Sequence, residues 1–342
     1  MKNVKFFDAT LRDGSHEVKH QFEKTDIANY CSLVDSAGID VVFVGHGNGL
    51  GASSLQVGLS KTTDHDMLTT ARKYLKRTKL GAYLIPGFGT IKDDIEPAIQ
   101  CGVDVFKIGC QCTEADTTRQ HIEYVKSKGK EAYGVLMMYH MTTTERLLEE
   151  AQKMQSYGAD GVIIMDSAGA STPELVRKTI RALHNGLKIP IGMHAHNNMG
   201  LAVANTYIAV QDGASIIDGT TRGFGAGAGN CPLEIIIALL KKEGYNLNGL
   251  DWYELLDTSE QVVSKFKQDK GIDSISIVSG VAGVFSAFKQ HVIRASETFG
   301  VDARDIFMEL GERKVMAGQE DLIIDVAEDL KNRKLLNNNF SF

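Results

Sequence analysis

The sequence lacks the features that mark membrane-spanning, secreted and nucleic-acid-binding proteins. No apolar run among its 342 residues approaches the ~18 residues that a transmembrane helix needs. The N-terminus does not join a charged segment to an apolar one, so we expect no signal peptide. The net charge is −6 and the chain carries no basic tract, which argues against nucleic acid or an anionic membrane surface as a partner.

Cysteine and proline are also scarce. The five cysteines are an odd number in apolar surroundings, which favours a reducing cytoplasm over a disulfide framework. Cys110 and Cys112 have the spacing of half a zinc site, but no second Cys or His pair matches them. We favour a pair of small residues at a strand end. The 5 prolines beside 34 glycines are typical of many short turns, so we expect a cytoplasmic globular protein.

What the sequence does contain is a regular alternation of short apolar runs and helix-like segments across its first two-thirds. The runs predict eight strands, at residues 4–9, 40–44, 80–85, 103–108, 132–138, 161–165, 189–194 and 215–219. Helical periodicity predicts helices between them, at residues 24–37, 64–76, 93–101, 118–128, 143–157, 172–185 and 201–212. This alternation predicts an α/β fold, a (β/α)8 TIM barrel. A doubly wound sheet usually has a phosphate-binding glycine turn after its first strand, where this sequence reads Thr-Leu-Arg-Asp.

Beyond residue 249 only helical patterns remain, at residues 252–267, 283–299, 303–311 and 319–332. We therefore divide the chain into a catalytic TIM barrel at 1–249, a smaller all-helical C-terminal domain at 250–333 and a tail at 334–342. The helical domain has more apolar surface than a barrel needs, which indicates that it packs on the barrel or on a partner.

Polar or turn-forming residues follow every predicted strand, at residues 8–13, 45–48, 86–87, 110–113, 139–140, 166–167, 194–197 and 220–222. In a barrel the C-terminal ends of all strands meet on one face, where enzymes of this fold keep their active sites. Such residues after all eight strands are hard to explain by solvation alone. We therefore look for an active site among them.

Two histidines on the seventh predicted strand indicate a metal site. His194 and His196 are two residues apart, so both side chains face the same side of the strand. Two neutral imidazoles and one carboxylate bind a divalent metal, and Asp13 after the first strand is our candidate for the carboxylate. A His-x-His pair alone more often belongs to a core. Its place at a strand end, opposite an Arg-Asp-Gly loop, favours the metal, and such a site leaves room for a 2-oxo acid to chelate.

Arg12 and His16 flank Asp13 and complete a set of groups for carbon–carbon bond chemistry. A guanidinium pairs bidentately with an oxyanion, and a histidine of near-neutral pKa is the usual general base. The metal and Arg12 would stabilise an enolate while His16 moves a proton. No lysine stands out for a Schiff base, which disfavours a metal-free aldolase. The plainer alternative is an ordinary strand-to-helix loop with a capping aspartate.

A glycine-rich loop at residues 223–230 follows the eighth predicted strand. It could hold a phosphate, but it lacks the Lys-Ser/Thr of a nucleotide-binding loop. We favour a tight loop whose backbone approaches the active site, with Asn230 supporting the metal from outside its ligand shell.

Together the motifs resemble the pyruvate-carboxyltransferase group of metal-dependent lyases and synthases, within the HMG-CoA lyase-like superfamily. The resemblance lies in Asp-Ala-Thr-Leu-Arg-Asp-Gly at 8–14, His-Ala-His at 194–196 and Gly-Ala-Gly-Ala-Gly-Asn at 225–230. Within that group, four stretches resemble the class II 4-hydroxy-2-oxovalerate aldolases, at residues 12–22, 112–116, 137–141 and 311–321. The resemblance covers essentially the whole chain.

The resemblance implies retro-aldol cleavage of a 4-hydroxy-2-oxo acid, such as 4-hydroxy-2-oxopentanoate, to pyruvate and acetaldehyde with Mn²⁺ or a similar ion such as Mg²⁺ or Co²⁺. The implied metal ligands are Asp13, His194 and His196. Arg12 is implied as the enolate stabiliser and His16 as the base, and Ser167 and His194 as substrate contacts. The family also implies an oligomer and an acylating acetaldehyde dehydrogenase partner, held by the helical domain, as in the catabolism of aromatic hydrocarbons.

One residue departs from the family pattern. The family has a tyrosine near its active site in a Gly-Val-Tyr-Ser-Ser-Phe-like run, and this chain reads Gly-Val-Phe-Ser-Ala-Phe at 283–288. Phe285 can close the substrate pocket but has no hydroxyl to donate. We therefore expect pyruvate as one product and leave the aldehyde open. Tyr83 on the third predicted strand could alter the same side of the pocket.

Two other interpretations remain open from the sequence. An acyl-CoA-condensing synthase of the same superfamily, of the citramalate or isopropylmalate type, would need a CoA site and usually a different regulatory domain, and we identify neither. A partner-binding subunit with an idle site is disfavoured by the complete set Arg12, Asp13, His16, His194 and His196.

Overall fold

The computed structural model describes residues 3–261 and 273–339. Its centre is a closed barrel of eight parallel strands that follow one another in chain order. The strands are β1 Lys5–Leu11, β2 Val41–Val44, β3 Lys79–Leu84, β4 Val105–Gln111, β5 Glu131–Met137, β6 Gly161–Asp166, β7 Ile191–Ala195 and β8 Ile216–Gly219. Each strand overlaps its predicted segment, and the predicted TIM barrel is confirmed.

Helices surround the barrel because each buries one apolar face against the strands. They are α1 Lys24–Ala37, α2 Asp64–Tyr74, α3 Glu96–Gln100, α4 Arg119–Ser127, α5 Thr144–Ser156, α6 Pro173–Gly186, α7 Ala202–Gln211 and α8 Leu233–Lys242. The helix predicted at 93–101 is divided, because a wider helical turn at Ile91–Ile95 precedes α3. Pro97 in the first turn of α3 has no amide hydrogen to continue a regular ladder.

The described helices after the barrel are α9 Trp252–Gln261, α10 Ser274–Ala282, α11 Lys289–Phe299, α12 Ala303–Glu312 and α13 Leu322–Asn339. α9 packs against α1 and α8, whereas α10 to α13 pack on one another. These helices confirm the predicted helical C-terminal region.

Two predicted boundaries in this region differ from the structure. The helix predicted at 283–299 begins only at Lys289, because Gly283 adopts a φ of +68° and ends the unpredicted helix α10. α13 continues through Asn339, into residues that we assigned to a tail. Residues 262–267 of the first predicted helix and 340–342 of the predicted tail lie outside the described residues.

Aromatic side chains fill the barrel on the side where the strands begin. The ring centroid of Phe7 lies 5.3 Å from that of Phe43 and 5.0 Å, edge-on, from that of Tyr133. All three side chains are buried, and each such burial contributes about 1.5–3 kcal/mol. This packing closes one end of the barrel and leaves the C-terminal ends of the strands for a site.

The C-terminal helical region is tied to those strand ends. The backbone N–H of Ser286 donates to the carbonyl of Ser167 at 3.0 Å, and the side-chain amide of Asn198 donates to the hydroxyl of Ser279 at 3.2 Å. Barrel loops and the helical region therefore enclose the same space. None of the helices in the described ranges has the length and apolarity needed to cross a bilayer.

Candidate active site

Strand β1 delivers the first group of site residues to the open end of the barrel. The carboxylate of Asp8 accepts hydrogen bonds from the Thr10 amide (2.8 Å), the Thr10 hydroxyl (2.5 Å) and the Tyr30 hydroxyl (2.5 Å). Burial raises the pKa of Asp8 to about 6. The hydroxyl oxygen of Thr10 also accepts from the amide of Thr221 after β8, at 2.8 Å. Asp8 therefore anchors the strand end from which Arg12 follows.

The three predicted metal ligands lie together in this structure. One carboxylate oxygen of Asp13 and one ring nitrogen each of His194 and His196 lie within 4.8 Å of one another, and all three residues are buried. Nε2 of His196 is 3.9 Å from Oδ2 of Asp13. Because β1 and β7 both flank β8, residues far apart in the chain face the same space.

Neighbouring groups orient these ligands. Nδ1–H of His196 donates to the carbonyl of Ala226 at 3.3 Å, which leaves Nε2 as the electron-pair donor. The side-chain amide of Asn230 donates to Oδ2 of Asp13 at 3.2 Å. An added Cβ at Gly225 would lie 2.2 Å from the Asn230 amide nitrogen, so only glycine lets the loop pass this close. The glycine-rich loop thus supports the ligands through Ala226 and Asn230.

The charge state of the ligand group suits a cation. Burial opposes the ionisation of Asp13, but the Arg12 guanidinium, 3.5 Å away, and the neighbouring histidines outweigh it. The pKa of Asp13 therefore lies well below its usual range. Burial lowers the pKa of His196 to about 4. At neutral pH Asp13 is an anion and His196 is neutral, which are the forms that coordinate metal ions.

The donor set fits a divalent transition-metal ion. Two imidazole nitrogens and a carboxylate oxygen suit ions such as Mn²⁺, Fe²⁺, Co²⁺ and Zn²⁺. Among the described residues nothing hydrogen-bonds to Nε2 of His194, although this atom is buried. Buried polar atoms almost always have a binding partner, and a metal ion would be one for this nitrogen. The geometry supports the predicted ligands, and the bound ion stays a prediction.

Arg12 is buried beside the ligand group, with part of its guanidinium unpaired. Its Nη1 donates to the carbonyl of Gly47 at 3.2 Å, and its Cζ lies 4.8 Å from the centroid of the Tyr83 ring. Within the described chain, Nε and Nη2 of Arg12 have no hydrogen-bond partner. Two unpaired N–H groups on a buried guanidinium are suited to an oxyanion.

His16 lines a cavity of about 660 Å³ between barrel loops and the helical region. Its ring rests on Gly47, where an added Cβ would lie 2.3 Å from Nε2 of His16. Burial lowers the pKa of His16 to about 3. The ring is therefore neutral at pH 7 and can accept a proton.

Two further histidines, to which sequence reasoning assigns no role, form a wall behind His16. The rings of His20 and His46 are stacked with centroids 3.6 Å apart, and His20 meets His16 edge-on at 5.0 Å. The backbone amides of Gly47 and Asn48 donate to Nδ1 of His20 and of His46, at 3.5 and 3.0 Å. An accepting Nδ1 carries no proton, and burial lowers the pKa of His20 to about 2 and of His46 to about 4. Both rings are therefore neutral.

Ser167 and Phe285 lie at the same end of the barrel. The hydroxyl oxygen of Ser167, directly after β6, accepts from the amide of Met138 at 3.3 Å. Phe285 is 9% exposed and lines the cavity, with its ring edge-on to Phe288 at 5.6 Å. Their contacts with a substrate stay predictions.

Sequence reasoning missed an ion pair inside the barrel. Nζ of Lys107 on β4 is 2.6 Å from Oδ2 of Asp218 on β8, and both side chains are fully buried. A lysine within the apolar run 105–108 was the available signal. Cys110 and Cys112, by contrast, are buried free thiols, and the group of potential metal ligands found in the described ranges is that of Asp13.

Comparison with known proteins identifies the family. The HMGL-like family model matches residues 3–262, and that of the DmpG-like communication domain matches residues 270–332. A 4-hydroxy-2-oxovalerate aldolase of Pectobacterium atrosepticum is 51% identical over 97% of both chains. Another, of Spirochaeta aurantia, is 50% identical over 95% of this chain and 96% of its own. The chain therefore belongs to the HMGL-like family and, within it, to the group of the 4-hydroxy-2-oxovalerate aldolases.

Solved structures agree on the fold. The carboxyl transferase domain of Rhizobium etli pyruvate carboxylase, determined with pyruvate, superposes with a TM-score of 0.78 at 17% identity. The match covers 96% of this chain and 61% of that one. The sequence relatives, and not this structural match, confirm the predicted family and the enzyme class, an aldolase. They do not favour the acyl-CoA-condensing alternative.

Proposed function

We propose that the chain is a class II aldolase, a metal-dependent carbon–carbon lyase that cleaves a 4-hydroxy-2-oxo acid to pyruvate and an aldehyde. The relatives are named for 4-hydroxy-2-oxovalerate, which is 4-hydroxy-2-oxopentanoate. One observation carries the proposal: the Asp13, His194 and His196 donors lie beside the unpaired N–H groups of Arg12.

Asp13, His194 and His196 would hold the metal ion, and Arg12 would hold the charge of the substrate. When bound, Mn²⁺ or a similar ion such as Mg²⁺ or Co²⁺ polarises the ketone of the 2-oxo acid. Arg12 donates from Nε and Nη2 to the oxygen on which negative charge develops. Because Arg12 is buried, these hydrogen bonds form with little competition from water.

His16 is the proposed general base. Its neutral ring takes the proton from the C4 hydroxyl of the substrate as C4 becomes the carbonyl carbon of the aldehyde. The electrons of the broken C3–C4 bond form the C2–C3 double bond of the pyruvate enolate. C3 then takes up a proton to give pyruvate, and His16 releases the proton that it accepted, so the ring returns to its neutral form. The stacked rings of His20 and His46 hold His16 in place from behind.

Ser167, His194 and Phe285 are the proposed further contacts of the substrate. Phe285 lines the same cavity as His16 and offers an apolar surface without a hydroxyl. We therefore propose that the aldehyde end of the substrate is held by apolar contact, which leaves its length open.

The helical region at α10–α13 is the proposed docking region for an acylating acetaldehyde dehydrogenase. The match to the DmpG-like communication domain supports this partner. The exposed apolar residues of these helices offer a surface for it, and they are Ile277, Val281, Met308, Ile324 and Leu335. An oligomer also stays a proposal. So does a cytoplasmic location, which the five buried free cysteines support.

The division of the chain at residue 249 also stays a proposal. The packing of α9 on α1 and α8 favours a boundary after Gln261, as do the family matches at 3–262 and 270–332. On this division α9 belongs with the barrel, and the C-terminal domain contains α10 to α13.

Pyruvate release tests the proposed function. The purified chain, stripped of metal with a chelator, is assayed with 4-hydroxy-2-oxo acids of increasing chain length, with and without added Mn²⁺. We expect release that depends on Mn²⁺ and varies with chain length. Absence of pyruvate from every substrate in the presence of Mn²⁺ would overturn the proposal. A parallel incubation with acetyl-CoA and pyruvate would release free thiol only if the chain were a condensing synthase.

A further inference from the structure

A lysine lies in the interior of the barrel, where charged side chains are rare. Lys107 is fully buried, and its Nζ donates to Oδ2 of Asp218 at 2.6 Å. The same Nζ lies 3.8 Å from the centroid of the Phe43 ring. Lys107 does not line the cavity that His16 lines, and its Nζ is already engaged by Asp218.

The second oxygen of the same carboxylate faces a predicted metal ligand. Oδ1 of Asp218 lies 3.3 Å from Nδ1 of His194, an ion-pair distance without the alignment of a hydrogen bond, and both side chains are fully buried. Because Nδ1 lies beside Asp218, we assign Nε2 as the nitrogen that His194 contributes to the group with Asp13 and His196. A carboxylate that holds the far nitrogen of a ligating histidine is a common feature of metal sites, because it sets the orientation of the ring.

Stability alone does not account for a buried ion pair at this place. Removing two charges from water costs more than their attraction usually returns, and well-packed apolar residues often replace such pairs without loss. The surrounding side chains, among them Phe7, Phe43 and Val105, already form an apolar core. An apolar pair could fill the same space, so we looked for what these two charges do for the neighbouring residues.

We infer that Lys107 is a positioning residue of the metal site: it holds Asp218 so that its carboxylate orients His194 towards Asp13 and His196. This inference rests on the proposed metal site. Lys107 acts through two intervening residues and touches neither substrate nor metal. It also balances the charge of Asp218, as Arg12 balances that of Asp13.

The test measures Mn²⁺ binding to the metal-free full-length chain by the electron paramagnetic resonance signal of free Mn²⁺. The variants are Lys107→Met, which removes the charge at similar length, Asp218→Asn, and Lys107→Arg, which keeps a cation. Lys126→Met is the matched control, because Lys126 forms a half-buried pair with Asp160 at 2.7 Å on the outside of the barrel. Thermal unfolding of each variant reports its fold.

We expect Lys107→Met and Asp218→Asn to weaken Mn²⁺ binding by about tenfold or more, because partners that orient a ligand typically contribute this much. Lys126→Met should leave Mn²⁺ affinity unchanged, and Lys107→Arg should restore part of it. Unchanged affinity in both Lys107→Met and Asp218→Asn would overturn the inference. Failure of the unmodified chain to bind Mn²⁺ would overturn the proposed metal site, and this inference with it.

The double variant Lys107→Met/Asp218→Asn separates positioning from stability if a single variant fails to fold. It leaves no unpaired buried charge, so we expect it to unfold near the temperature of the unmodified chain. It should still bind Mn²⁺ about tenfold more weakly, since no carboxylate orients His194. A folded double variant with the original Mn²⁺ affinity would show that the pair serves stability alone, contrary to the inference.

Discussion

Gly47 is the position where a single methyl group should do the most damage to the proposed base. Its carbonyl accepts from Arg12 at 3.2 Å, its amide donates to His20, and its Cα lies under the ring of His16. A Cβ added at Gly47 would be 2.3 Å from Nε2 of His16 and 2.4 Å from its Cδ2. Gly47→Ala therefore forces the ring of His16 away while adding no charge or polar group.

The size of the effect follows from these distances. Ordinary van der Waals contact begins at 3.4 Å, so the ring has to move by about 1 Å. The stacked pair of His20 and His46 lies behind His16 and limits the directions in which it can move. A displacement of about 1 Å in a catalytic group costs about 100-fold in rate, or about 2.7 kcal/mol of transition-state stabilisation.

Steady-state pyruvate release with saturating Mn²⁺ measures this effect as kcat and kcat/KM. Gly186→Ala is the matched control. Gly186 is the last residue of α6, and the atoms nearest to its added Cβ belong to the flexible side chain of Leu148 on α5. In a His16→Ala background, Gly47→Ala should cost nothing further, since the ring that it displaces is gone. Unchanged kcat/KM in Gly47→Ala, or an equal loss in both backgrounds, would refute the reasoning.

Three further predictions concern the same site. His16→Ala should lower kcat for pyruvate release by about 100-fold or more, because a general base contributes that much; a retained rate would point to another base. The melting temperature should fall as the pH is lowered from about 6.5 to about 4. Burial lowers the pKa of His46 to about 4, so over this range the unfolded chain binds more protons than the folded chain. His46→Gln should weaken this dependence, and an unchanged profile would contradict the assignment. Phe285→Tyr should change the preference for substrate length, read as kcat/KM across the pyruvate-release series; identical ratios would place Phe285 away from the aldehyde end.

Much of the fold follows from local pattern in the sequence. Each unit consists of an apolar strand and a helix with one apolar face, and both apolar surfaces have to be buried. Eight such units close into a barrel. The C-terminal helices were harder to delimit. Helix α10 at Ser274–Ala282 lacks a clear apolar period, and its end at Gly283 depends on a left-handed backbone conformation.

Part of the site is local in the same sense. His194 and His196 share a face because strand side chains alternate, and Arg12, Asp13 and His16 follow one strand within a few residues. These short-range relations, with the motifs that place the chain in its family, are what the sequence by itself determined.

The tertiary structure decided which distant groups meet. Lys107 and Asp218 are 111 residues apart and pair only because β4 and β8 face each other across the closed barrel. The stacking of His20 on His46 depends likewise on two separate loops that converge beside Gly47. Such contacts depend on the register and closure of all eight strands, a property of the whole chain that no local pattern of residues encodes.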